Sequence, residues 1–261
     1  MSLFDMVVTT DFEVKVGDLR RNNYGCLYTV IRIRDSYNAT IRYLDKFSHE
    51  QTLALRSARL GITRNPYAPT LAGVGYIGSG KYMSSVSRGT YTREYMLWAG
   101  LIRKYYDRKK VDITQSKYNK NVCPEWHNFQ TFADWVVSLG YYDDQLFSLN
   151  TTLLADESNV IGPDTTCFIP DVLVGHLVRT KPRRVSTLPM GIILPTRCAR
   201  YLVQIKCYGK SQPIAKCVDI FEAISIHKHA KEEHVKEVAN LYRHELEPRV
   251  YDALMSWKYI L

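Results

Sequence analysis

The sequence predicts an α+β protein with a small N-terminal β domain, a central and largely helical module, and a C-terminal three-stranded antiparallel sheet covered by a helix. Three observations predict it. Short runs of alternating side chains lie between turn formers from Glu13 to Leu44 and again from Leu188 to Val218, the period-two pattern of half-buried strands. Apolar residues recur at spacings of three and four between and after these runs, as helices require. The net charge of +9 is unevenly spread. Residues 78–122 hold ten Lys/Arg against three Asp/Glu, 123–182 hold two against eight, and 183–261 hold thirteen against eight. Two basic blocks flank an acidic one, which predicts two electrostatic footprints for a polyanion.

In the N-terminal part, Tyr28, Val30, Ile31 and Ile33, then Ala39, Ile41 and Tyr43, supply the β-rich runs, with turns at Arg21-Asn22-Asn23 and at Asp35 to Asn38. Arg20, Arg32, Arg34 and Arg42 are expected on the outer face of this barrel-like sheet. Asn65-Pro66-Tyr67-Ala68-Pro69 closes it, placing the domain at 1–72. The Gly-rich stretch 73–81 has the Gly75 to Gly80-Lys81 spacing of a phosphate loop, but Tyr82 stands where a magnesium-binding hydroxyl belongs. A turn that brings backbone close to another segment is the better account.

Thr92 is expected to cap a helix through Tyr95, Trp98, Leu101, Ile102 and Tyr105, surrounded by Arg93, Arg103, Lys104 and residues 108–110. A second helix is expected through Trp126, Phe129, Phe132, Ala133, Val136 and Val137, with Pro124 in its first turn. Lys181 to Arg184 forms a linker into the last domain. There the strands centre on Leu188–Ile192, Tyr201–Ile205 and Ile214–Val218, followed by a helix from Asp219 to Tyr242 and a docking tail with Val250, Leu254 and Trp257.

Six scattered cysteines without a C-x-x-C pair fit buried, reduced thiols better than a disulfide framework or the conceivable zinc set of Cys123, His127, Cys167 and His176. Neither a basic start in Met1 to Thr10 nor an apolar run of membrane-spanning length is present, so the cytoplasm of the host cell is the expected compartment.

Alternation along Arg200 to Cys207 turns Tyr201, Val203, Ile205 and Cys207 toward the helix and leaves Arg200, Leu202, Gln204 and Lys206 outward. Arg makes paired hydrogen bonds to guanine and Gln to adenine, so Arg197, Arg200 and Gln204 are the candidate base readers. Lys206, Lys210 and Lys216 are the candidate phosphate contacts, with Lys81, Arg93, Arg103 and Lys104 in the second basic block.

Two stretches resemble phage-encoded proteins related to HNH homing endonucleases that carry Apetala-type DNA-binding domains. In the middle these are Tyr95-x-x-Trp98, Leu101 to Asp107, Tyr118, Val122-Cys123-x-Glu125-Trp126-x-x-Phe129-x-x-Phe132, and Pro163-x-x-x-Cys167-Phe168-Ile169-Pro170. The strands and helix of the last domain resemble the Apetala-type module, with Ala215, Cys217 and His227 departing from its usual Gly, aromatic and Tyr. The resemblance implies an HNH-like module at 73–182 and a DNA-binding domain at 183–261. Relatives usually carry Leu-Asp-Lys-Asp or Leu-Asp-Arg-Asp where this chain has Leu149-Asn150-Thr151-Thr152. An amide and a hydroxyl are poor substitutes for groups that activate water and bind a divalent metal. The expected function is therefore recognition of duplex DNA by a catalytically degenerate relative, with no cofactor. The alternatives are a working endonuclease using Mg²⁺ through displaced ligands such as Asp156, Glu157, Asp171 or His176, and an RNA-binding or protein-scaffold role. No catalytic or metal residue is assigned.

Overall fold

The computed structural model describes residues 13–107, 120–140, 146–177, 188–189, 191–195 and 199–259. The architecture is α+β. The chain divides into two compact units, one of residues 1–115 with 124–134 and one of 116–123 with 135–261, so the stretch 73–182 contributes to both. Met1 to Thr10, the linker Lys181 to Arg184, residues 108–110, Tyr118 and Arg197 lie outside the described residues.

In the first unit, β1 (Leu19–Arg21), β2 (Leu27–Ile33), β3 (Asn38–Tyr43) and β4 (Glu50–Ala54) form an antiparallel meander in sequence order. Each hairpin is turned by a side-chain oxygen that takes two backbone N–H donors. Asn22 Oδ1 accepts from Tyr24 and Cys26, Asp35 Oδ1 from Tyr37 and Asn38, and Asp45 Oδ1 from Phe47 and Ser48. Tyr28, Val30, Ala39, Ile41 and Tyr43 form the core of this sheet with Ala58 of helix α1 (Leu55–Leu60).

Arg20 does not lie on the outer face. Its side chain is buried and paired with Asp18 at 2.8 Å, and it also donates to the carbonyl of Glu13. A neighbouring carboxylate makes burial of a guanidinium tolerable, which alternation alone does not reveal. Arg32, Arg34 and Arg42 are exposed as expected, and Arg42 pairs with Glu50.

The Gly-rich stretch permits close approach of backbone. Tyr76 donates to the carbonyl of His127 and accepts from Phe129, and a Cβ at Gly75 would lie 3.0 Å from the Trp98 ring. After the short β5 (Ser85–Ser87) and β6 (Thr90–Tyr91) hairpin, Thr92 caps α2 (Arg93–Tyr106), whose Trp98, Leu101 and Ile102 are buried. Trp98 Nε1 donates 2.8 Å to the carbonyl of Trp126. The helix expected to include Trp126 is interrupted, because Pro124–His127 form a 3₁₀ turn and α3 runs only over Phe129–Ser138. Asn128 causes the break by accepting the Gln130 N–H at 3.0 Å, as a residue preceding a helix does.

In the second unit, β7 (Asn121–Val122) runs parallel to β9 (Val160–Ile161), and β8 (Phe147–Asn150) runs antiparallel to β10 (Cys167–Pro170), which leads into α4 (Asp171–Leu177). An antiparallel sheet of order β11 (Ile192–Ile193), β12 (Tyr201–Cys207), β13 (Lys210–Cys217) follows, covered by α5 (Ile220–Leu241). The tail forms α6 (Pro248–Met255), with Val250 and Leu254 buried and Arg249 donating to the carbonyl of Pro163 at 3.0 Å. Among the described residues the cysteines are free thiols, and no helix is long and apolar enough to cross a membrane.

Candidate nucleic-acid interface

The β12–β13 hairpin closes through a two-residue turn, Tyr208 and Gly209, both at positive φ (48° and 81°). This is the turn whose twist matches that of paired strands. The turn sets the register Cys207↔Lys210, Lys206↔Ser211, Ile205↔Gln212 and Gln204↔Pro213, after which the pairing shifts to Val203↔Ala215 and Leu202↔Lys216. Ile214 is the extra residue of that bulge. Pro213 has no N–H to give and is confined to an edge or a bulge; here it occupies both.

Side chains directly opposite each other in an antiparallel pair share a face. The inner face carries Val203, Ile205 and Cys207, all buried, and Val203 packs with Ile192, Cys217 and Ala223 of α5. Asp219 caps this helix by accepting from the Glu222 N–H at 2.9 Å. Gly191, at φ +93°, leaves room for the His227 ring while its carbonyl accepts from the Gln204 N–H at 2.8 Å. A side chain at 191 would occupy that space.

On the outer face, Gln204 is half-buried and Lys206 and Lys216 are exposed, with Arg200 exposed just before β12. These four expected residues therefore lie on or beside one open surface. Lys210 departs from them, since its position opposite Cys207 puts it on the helix side of the sheet. The sequence placed it in the turn, and the turn's length decided its face. Leu202 and Ile193 also face outward as a cross-strand pair, Ile193 being 43% exposed. Sequence reasoning turned Leu202 outward without giving it a role, and missed Ile193 because the first strand was expected at Leu188–Ile192.

Lys81, Arg93, Arg103 and Lys104 belong to the first unit. Lys81 forms an exposed ion pair with Asp134 at 3.2 Å, a contact of small energetic weight. Arg103 and Lys104 occupy the last turn of α2, where cations complement the carbonyl end of the helix.

The segment Leu149 to Thr152 and the acidic residues near it are engaged in local structure. Asn150 is buried opposite Cys167, and its Oδ1 accepts from the N–H groups of Thr152 and Leu153 at 2.9 and 2.8 Å. Asp171 accepts from the Ser148 hydroxyl. Asp156 accepts from the Ser158 hydroxyl and N–H, which hold its carboxyl below the usual carboxylate range. Burial pushes the Cys167 thiol up to about 12 and the His176 imidazole down to about 4. Among the described residues no three His, Cys, Asp or Glu side chains are grouped to hold a metal ion.

Compared with protein-family models, curated proteins and solved structures, the chain matches none.

Proposed function

We propose that this chain binds duplex DNA through the outward face of β11–β12–β13, and that its middle segment is a catalytically degenerate relative of phage HNH homing endonucleases. One observation carries the reading: Gln204, Lys206 and Lys216 share the open side of a sheet whose other side is packed on α5, with Arg200 exposed at the strand's start. A two-stranded ribbon fits the major groove, where an amide and a guanidinium discriminate bases and ammonium groups neutralise phosphate. The outward positions of the described strands carry no aromatic ring, which favours a duplex over single strands that bind by stacking.

The test is a gel-shift titration of the full chain with duplex DNA, comparing wild type with Arg200→Ala/Gln204→Ala. The expected result is weaker binding with unchanged circular dichroism; unchanged affinity removes the reading. Lys206→Ala and Lys216→Ala are each expected to lower the slope of log affinity against log salt by about one. Incubation with plasmid and Mg²⁺ separates the endonuclease alternative. Nicking lost on altering Asp156, Asp171 or His176 would favour the enzyme.

A further inference from the structure

We infer that the outward sheet face selects A·T-rich duplex by contacting thymine methyl groups with Leu202 and Ile193 beside Gln204. The inference rests on the duplex-DNA reading and adds the class of base pair recognised. Ile193 pairs with Leu202 across β11 and β12, and Leu202 pairs with Lys216 across β12 and β13. All three side chains therefore point away from α5 in one row across the sheet. Gln204 follows two residues along β12 on the same side, ~6.8 Å further, close to the rise of two base pairs.

The row puts branched aliphatic surface next to an amide, on a face whose charged outward residues, Lys206 and Lys216, are both cations. The only apolar group on the floor of the major groove is the thymine methyl, and adenine is the base whose edge matches a carboxamide with two hydrogen bonds. A site built for G·C pairs would hold cations or carboxylates where Leu202 and Ile193 stand. Strand addition along the β13 edge does not account for the outward aliphatic groups, Ile193 exposed and Leu202 half-buried. That edge is interrupted by Pro213 and the unpaired Ile214, two devices that oppose pairing with another chain.

The full-length protein is titrated at one salt concentration with alternating dA–dT, dA–dU and dG–dC duplexes, and with dA–dT and dA–dU again for Ile193→Ser/Leu202→Ser. Uracil removes the methyl and keeps the hydrogen-bonding edge. The expected result is tighter binding to dA–dT than to dA–dU by about fourfold for each methyl buried. That difference disappears in the double variant and survives in Leu202→Val, which keeps a branched apolar surface should the double variant lose its fold. Equal affinity of the wild type for dA–dT and dA–dU overturns the inference and leaves the duplex-DNA reading standing. Absence of binding to every duplex overturns both. Self-association in sedimentation that the double variant abolishes, with no effect of the methyl, assigns the row to a second copy and also overturns it.

Discussion

The His176 imidazole donates from Nε2 to the carbonyl oxygen of Lys206 across 2.7 Å. A carbonyl can only accept, so the proton is on Nε2, and the buried Nδ1 has no hydrogen-bond partner among the described residues. This bond ties α4 to the strand that carries the proposed reading face. His176 lies 4.9 Å from the His234 ring, and Tyr208 of the hairpin turn stands edge-on to His234 at 5.4 Å. The outward face of β12 is thus held from behind by the buried rings of His176 and His234.

Acid should loosen this arrangement. Burial, with Lys231 and a second histidine nearby, lowers both His176 and His227 to about 4 from the ordinary 6.5. Between these values the unfolded chain takes up protons that the folded chain refuses, so stability falls as pH drops from 6.5 toward 4, by on the order of 3 kcal/mol per ring at most. Urea midpoints measured from pH 7.5 to 4.5 are expected to fall, and His227→Gln is expected to make the fall shallower.

Gly191→Ala is expected to destabilise by about 2 kcal/mol or more, because φ is +93° and the new Cβ would meet the His227 ring and the Gln204 carbonyl oxygen, the latter at 2.7 Å. Adding His227→Ala relieves the ring clash and leaves the carbonyl clash, so chemical denaturation should show only partial rescue.

In the first unit, Arg20→Ala should cost about 1–3 kcal/mol, since it takes the guanidinium from the half-buried Asp18 carboxylate, removes the bond to Glu13 and loses the packing of a buried side chain. Replacing both, as Asp18→Asn/Arg20→Leu, should cost less than Arg20→Ala alone. A thermal melt of the three variants checks the order.

Trp98→Phe removes the donor that satisfies the Trp126 carbonyl inside the first unit. Loss of a buried hydrogen bond costs about 0.5–1.5 kcal/mol, to which the lost ring volume adds. Equilibrium unfolding followed by circular dichroism should therefore show a clear loss of stability with the fold retained.

Much of the architecture is legible locally. The Thr92 cap and the three- and four-residue spacing mark α2, Asp219 marks the start of α5, and alternation from Tyr201 to Cys207 separates its faces correctly. Strand β4 (Glu50–Ala54) is not legible in the sequence, because its exposed and half-buried residues carry a weak pattern and its extension is stabilised by pairing with β3. The spacing of Trp126 to Phe129 and Phe132 fits one helix, while the Asn128 side chain favours a fresh start at Phe129.

For the candidate site, the sequence by itself determined which residue types stand on β12 and that Arg200, Gln204 and Lys206 alternate with apolar neighbours, since the side-chain period of an extended chain is local geometry. Only the tertiary structure decided that Lys216 joins them while Lys210 does not, and that Ile193 completes an apolar row with Leu202. Cross-strand register depends on turn length and on the bulge at Ile214, and burial of a charge such as Arg20 depends on which carboxylate the fold brings beside it.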